Sequence, residues 1–472
     1  MRSLLHRISS AIVLVATFGS LASAQEPRFG PPPSAVKAAS AENAPKTTIA
    51  FTGGLLITGL DEPPIHHATI VVKGNRIVAA GPSSEVKIPA GATIVDTHNL
   101  TMMPGLIDTH VHMVLVGHGE YTRYFAWLDE HQKDYPLSRI LDISAKQLLD
   151  AGVTSVVDLG APLDEILAVR DRVNKGVIPG PRILASGPWL TRHVAIFPPN
   201  YQHNVTSPED AAAFVDKLAD AGVDVIKAHA GLTREDYFAI VQEAHKRHLK
   251  VHAHIYDEEA VRNAFDAGVD VLQHVGSAGV PPYSAKLLSD IVASGRPVVP
   301  TVYHRVWLYP DTIAFPERLD DPQFKGELGE PLYSEMMDSF KNFNSVGYFT
   351  TIDRQMFFGD KSLDQWISHG AVVGMGTDNG TPGNFHKDAL WREIKVFVDH
   401  GMPANQAIMD ATRVNATNIM GMRDLGTIEV GKLADIIAVD GDPLLDISVL
   451  GRVNIVMKNG VIYKGGPVVA KK

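Results

Sequence analysis

Two histidines one residue apart, His110 and His112, close the stretch Pro104-Gly105-Leu106-Ile107-Asp108-Thr109-His110-Val111-His112. The apolar run before them reads as a buried strand, and side chains at i and i+2 of a strand share one face. Both imidazoles can therefore turn toward one metal ion. Further along, other apolar runs end on residues of related chemistry: Lys227, His254, His274 and Asp378. Histidines with a carboxylate make the nitrogen and oxygen ligand set that suits zinc. Lys227 is the odd member, because an ammonium ion repels a divalent cation. Burying it charged is costly, and burial lowers its pKa, leaving a neutral amine that can add carbon dioxide. The resulting carbamate is an anionic oxygen ligand suited to bridging two metals. His252 shares a strand face with His254, so either can be the ligand of that strand. His229 follows Lys227 by two and reads as a neighbour of the metal group or a substrate contact.

These residues need strands that run to one mouth. Asp150-Ala151-Gly152-Val153, Asp220-Ala221-Gly222-Val223 and Asp266-Ala267-Gly268-Val269 each read as a helix closed by a glycine cap and followed by an apolar strand. Ala293-Ser294-Gly295 and Ser368-His369-Gly370 repeat this before the runs 298–301 and 371–378. With further strands near 102–107, 182–185 and 250–254, about eight strands alternate with amphipathic helices. The fold class is α/β, and the pattern fits a (β/α)8 TIM barrel over residues 101–425, with its chemistry at the strand ends. A doubly wound open sheet is the runner-up. Residues 303–365, rich in aromatics and proline, break the repeat and read as an insertion, either a pocket wall or a solvent-side addition. Residues 47–100 and 426–466 are β-rich, with hairpin signals at Gly74-Asn75 and Asn459-Gly460. They suggest one small β-sandwich built from both chain ends.

Composition narrows the partners. The formal net charge of −10, with no basic stretch to offset it, argues against a nucleic-acid partner. There is no cysteine, which excludes disulfides, thiolate ligands and a Cys nucleophile. Arg2, His6 and Arg7, an apolar run over 11–18 and Leu21-Ala22-Ser23-Ala24-Gln25 make a secretory signal over residues 1–24, cut after Ala24. The mature protein is then periplasmic or secreted, and begins with a Pro/Ala-rich leader over 25–46, expected to be flexible. No other apolar run approaches the ~20 residues of a membrane span. Homo-oligomerisation is left open.

The motifs PGLIDTHVH, DVIKAH, VHAHIYDEEAVRNAFDAGVDVLQH, GMGTDNG and GTIEVGKLADIIAVDGDPL resemble the amidohydrolase superfamily, specifically its imidazolonepropionase-like and Xaa-Pro dipeptidase-like members. The resemblance runs over about residues 47 to 464. It implies two divalent metal ions, most simply zinc. His110, His112 and Asp378 would hold the more buried ion, His254 and His274 the second, and carboxylated Lys227 would bridge them. The resemblance over Tyr256-Asp257-Glu258-Glu259-Ala260-Val261 favours His254 over His252 as the ligand. Relatives often carry Gly-Gly-His-Gly after the third strand, whereas this chain has Gly187-Pro188-Trp189-Leu190-Thr191-Arg192-His193, which puts the substrate of the nearest peptidases in doubt.

The implied reaction is hydrolysis by a metal-bridging hydroxide, since coordination brings the pKa of bound water from ~15.7 toward ~7. Asp378 would act as general base and then general acid. The expected substrate is a small amide, such as a dipeptide or an N-acyl amino acid. Arg192, His193, Tyr303 and His304, after the third and seventh strands, are candidates to read its carboxylate. The rivals are a lactonase or cyclic-amide hydrolase on the same metals, and a non-catalytic scaffold that kept the barrel.

Overall fold

Gly105 is where the chain passes from one sheet to another. In the computed structural model, which describes residues 29–38, 44–193, 196–277, 279–342 and 349–466, the strand expected over 102–107 is two strands. Leu100–Pro104 belongs to a sheet made by the chain ends, and Leu106–Val111 to the sheet that carries the site. A Cβ on residue 105 would lie 2.3 Å from Thr154 Oγ1, so this crossing requires glycine. The signal expected over residues 1–24 lies outside the described residues.

The two ends of the chain meet in one mixed eight-stranded sheet. Its order is Val461–Lys464, Val453–Lys458, Ile436–Asp440, Leu100–Pro104, Thr48–Leu56, Ile65–Lys73 and Arg76–Pro82, with Thr93–Asp96 also pairing Thr48–Leu56. Leu100–Pro104 and Ile436–Asp440 run antiparallel with Met102 opposite Ala438. The sheet has its own core, including Phe51, Ile70, Val95, Met102, Ile436 and Met457. Asn459 and Gly460 both take positive φ, 49° and 73°, the geometry that lets a two-residue turn follow strand twist.

The site rests on parallel strands. Leu106–Val111, Val153–Asp158 and Arg182–Ala185 form one sheet. Gln202–Asn204, Trp189–Thr191, Val225–Ala228, Lys250–His254, Val271–Gln273 and Val298–Val299 form another. Asp224 N donates to Ala185 O at 2.8 Å and links the two on one side. On the other side the run expected as a strand over 371–378 makes only single bridges, Val373 to Val298 and Asn379 to Val111. Its glycines explain the close seating: a Cβ on Gly374 would meet Ile419, and one on Gly376 would meet Val299 and His110. Trp189–Thr191 and Gln202–Asn204 are strands that the sequence pattern did not indicate.

Helices cover the parallel strands with apolar faces. Val215 and Leu218, Ile240 and Val241, Val261 and Ala264, and Leu288 and Ile291 are all buried in one core, each large aliphatic side chain stabilising the fold by roughly 1.5–3 kcal/mol. Pro208–Ala221 and Glu258–Ala267 end on Gly222 and Gly268 at φ 87° and 98°, as the glycine caps predict. The leader is not flexible throughout, which corrects the expectation for 25–46. Pro33–Ala38 is a helix with Ala35 buried, and Ser34 Oγ donates to Asp224. Asp224 is itself buried against Arg170 at 2.9 Å, so the helix helps complete the bonding of a buried carboxylate. The stretch 303–365 is largely helical where described, with Ile352–Ser368 as its longest helix.

Candidate active site

The strand ends bring the six candidate ligands into contact. His110, His274 and Asp378 each offer a ligand atom within 4.8 Å of the other two, and all three are buried. Asp378 Oδ1 lies 3.2 Å from His112 Nε2 and 3.6 Å from His110 Nε2. Lys227 Nζ lies 3.4 Å from His110 Nε2. The His254 ring is 4.4 Å from the His274 ring, centre to centre. His304 comes close as well, its Nε2 3.6 Å from Asp378 Oδ2.

Electrostatics keep this cluster in the form a metal needs. Burial holds the imidazoles of His110, His254 and His274 well below the ordinary histidine range, so their nitrogen lone pairs are available. Burial also pushes the Lys227 amine down to about 7, against the opposing pull of Asp378. For Asp378 burial favours the acid, but the His112 hydrogen bond and the nearby His110, His112 and His304 win, holding it well below the carboxylate range. Backbone geometry contributes too, since His274 and Asp378 both take left-handed conformations, φ 64° and 58°. Such strain in non-glycine residues persists only where surrounding structure imposes it.

Two residues not singled out from sequence orient the ligands. Gln273 Oε1 lies 2.8 Å from His110 Nδ1, and Thr301 Oγ1 lies 2.8 Å from His274 Nδ1. With Nδ1–H donating, each Nε2 is left as the lone-pair nitrogen. Gln273 directly precedes His274 in the motif, which was the available signal. Asp108 accepts from Thr377 N and Oγ1 at 3.1 and 2.6 Å and so braces the segment carrying Asp378.

The cluster opens into a cleft of about 640 Å³. His112, His254 and Asp378 line its floor, and Tyr121, Trp189 and Phe197 an apolar wall. The insertion supplies Arg305, Thr351 and Gln355 to the wall, so this part of it is a pocket wall. Among the carboxylate-reading candidates His193 lines the cleft, whereas His304 lies beside Asp378 and does not; His229, the candidate substrate contact, lines the cleft while stacked on Trp189 at 4.5 Å. Arg192 does not: its guanidinium forks onto Asp236 at 2.5 and 2.8 Å, away from the cleft. Tyr303 is buried, with its hydroxyl accepting from Arg392 at 2.9 Å, and is also set aside. The cation on the cleft wall is Arg305, bonded to Gln355 Oε1 and Tyr256 OH, both at 3.1 Å.

Of the two histidines on Lys250–His254, His254 faces the cleft, whereas His252 is fully buried behind it. Among the described residues no helix is long and apolar enough to cross a membrane.

Residues 101–463 match the amidohydrolase family. Ochratoxinase of Aspergillus niger is 27% identical over 89% of this chain and 87% of that protein. The 5-methylthioadenosine/S-adenosylhomocysteine deaminase of Symbiobacterium thermophilum is 22% identical over 84% of this chain and 85% of its own. Among solved structures, the putative prolidase of Bifidobacterium longum superposes with a TM-score of 0.68 at 26% identity, covering 89% of this chain and 96% of that one. The chain belongs to the amidohydrolase family and is a metal-dependent hydrolase.

Proposed function

We propose that the chain hydrolyses the amide bond of a small carboxylate-bearing substrate, a dipeptide or an N-acyl amino acid. The observation that carries this reading is the placement of Asp378. Its carboxylate sits 3.2–3.6 Å from three histidine Nε2 atoms, at the floor of a cleft with a cation on one wall and aromatic rings on another.

The residues fit a metal centre. His274 Nε2 is buried with no hydrogen-bond partner among the described residues, and a lone-pair nitrogen in that position suits a cation. Four histidines, one aspartate and one neutral lysine exceed what one tetrahedral ion uses. On this reading His110, His112 and Asp378 would hold one zinc ion, His254 and His274 would hold a second, and carboxylated Lys227 would be a ligand available to both. When bound, the ions supply water acidified toward neutral pH and a Lewis acid for the amide oxygen.

The chain's own groups do the rest. Asp378 takes the proton of the attacking water and returns it to the leaving nitrogen. His304, 3.6 Å from Asp378 Oδ2, biases that carboxylate's position. Arg305, held by Gln355 and Tyr256, reads the substrate carboxylate as a charge-assisted pair. Tyr121, Trp189 and Phe197 take the apolar part of the substrate and exclude water from it.

The same reading extends to architecture and location. The two parallel sheets make a (β/α)8 barrel over 101–425, interrupted at 303–365, while the β-sandwich expected from 47–100 and 426–466 is instead the single mixed sheet built from both chain ends. The hydrogen bonds from Asp224 to Ala185 and from Thr109 to Met375 O support closure. Cleavage after Ala24 delivers the enzyme to the periplasm or outside the cell.

The test is hydrolysis of matched amides, esters and lactones, each followed as the carboxylic acid it releases, with metal analysis. Turnover of N-acyl amino acids or dipeptides that stops on chelation and returns with zinc is the expected result. Turnover of lactones alone would overturn it.

A further inference from the structure

Four buried side chains from four strands, two of them the proposed ligands His110 and Lys227, form a ring joined by polar contacts on three of its four sides. Lys227 and His252 are register partners in the parallel ladder between Val225–Ala228 and Lys250–His254, so their side chains share one face. Both are fully buried. His252 Nδ1 lies 3.0 Å from Gln273 Nε2, Gln273 Oε1 lies 2.8 Å from His110 Nδ1, and His110 Nε2 returns to Lys227 Nζ at 3.4 Å.

Proton positions around this ring follow from one requirement. For His110 to ligate through Nε2, which faces Asp378 and Lys227, its proton must sit on Nδ1 and donate to Gln273 Oε1. That turns the Gln273 amide NH₂ toward His252 Nδ1, which must accept. A neutral imidazole that accepts at Nδ1 carries its proton on Nε2. His252 Nε2 is buried and has no hydrogen-bond partner among the described residues. A fold rarely leaves such a donor unsatisfied.

We propose that His252 Nε2–H donates to an oxygen of a carbamate on Lys227, making His252 the positioning residue for that modification rather than a metal ligand. The inference rests on the reading of Lys227 as carboxylated. In forming the carbamate, the neutral Nζ attacks the carbon of carbon dioxide. A new N–C bond forms, one C–O π bond opens to leave the negative charge on oxygen, and one N–H proton departs to water. A donor already aimed at that charge stabilises the product and fixes its plane. It also explains why this strand carries a second histidine two residues behind the one that faces the cleft.

The test uses full-length protein depleted of metal and then reloaded with zinc in ¹³C-bicarbonate. The readouts are the ¹³C carbamate resonance and zinc per chain as bicarbonate is varied. His252→Gln keeps a donor near the Nε2 position, whereas His252→Asn does not. His252→Asn should need about tenfold more bicarbonate for half-maximal carbamate, as loss of one hydrogen bond to a charged group implies, and His252→Gln should recover most of the difference. Equal bicarbonate dependence in wild type and His252→Asn would overturn the proposal while leaving carboxylation intact. No carbamate signal in zinc-loaded wild type would overturn the reading of Lys227, and this proposal with it. Should the Asn variant fail to fold, ¹⁵N-histidine spectra of the wild type decide: His252 protonated at Nε2 supports the proposal, and protonation at Nδ1 refutes it.

Discussion

His274 and Thr301 are joined by a 2.8 Å hydrogen bond from Nδ1 to Oγ1, and both residues hold left-handed backbones, φ 64° and 52°. A β-branched residue in that region is strained by about 1–3 kcal/mol. The strain places a hydroxyl where it sets the His274 tautomer. Thr301→Val keeps the shape and removes the acceptor, so zinc affinity should fall by roughly 10–100-fold, while Thr301→Ser should retain most of it. Competition with a chelator of known zinc affinity measures both, and an unchanged Thr301→Val would disprove the orienting role.

On the proposed reading, Lys227→Ala loses a ligand that two ions would share. Activity should drop by more than the roughly 100-fold that losing an outer hydrogen-bond partner costs, and zinc per chain should fall below two. Short carboxylates in the buffer should restore part of both. Lys227→Arg should not be rescued, because a guanidinium stays charged and forms no carbamate. Elemental analysis alongside turnover checks this, and full metal in an active Lys227→Ala enzyme would remove the binuclear reading.

Arg305→Gln should lower kcat/KM for N-acyl amino acids about 10–150-fold, corresponding to roughly 1.5–3 kcal/mol for a hydrogen bond to a charged group. The same substrates with the carboxylate converted to a carboxamide should be hydrolysed slowly by the wild type and no worse by the variant. Equal losses on both substrate series would mean that Arg305 supports the wall and does not read the carboxylate.

Glu393 carries a pH dependence of stability. It is buried and accepts from the backbone N–H of Val302 and Tyr303 at 2.9 and 2.7 Å, and burial outweighs these bonds to raise its pKa to about 8. Between its ordinary value near 4.5 and about 8 the folded state binds more protons than the unfolded state. Its contribution is therefore fully present below that window and is lost as pH rises through it. Glu393→Gln should remove this part of the slope, at the cost of one acceptor. Urea melts at pH 5 and pH 8 for both proteins test it, and identical slopes would assign the pH dependence elsewhere.

The candidate ligands were legible as a set because each closes or follows an apolar run; strand period aims His110 and Lys227, while His274 and Asp378 are turned by left-handed backbone just past their runs. The helix ends at Gly222 and Gly268 were legible for a similar reason, since a glycine cap is a local signal. Arg305 was not, although it follows His304 directly. It lies on a π-helical turn, His304–Leu308, where neither a period of 2 nor one of 3.6 applies. Arg192 was misread because its partner, Asp236, is 44 residues away in sequence. The strand over 102–107 was read as one because its apolar run is continuous, and the crossing at Gly105 depends on Thr154, a contact between distant segments.

The sheet made from both chain ends sets an order of events in folding. Thr101 Oγ1 bonds Gly441 O across 340 residues of sequence, beside the ladder that joins Leu100–Pro104 to Ile436–Asp440. The strands synthesised first cannot finish pairing until almost the whole chain has been made, and contacts so distant along the chain form late. Until then Leu100–Pro104 presents an unpaired edge, open to pairing with other chains. Shortening the protein from its C-terminus therefore damages the oldest strands of the nascent chain rather than the newest.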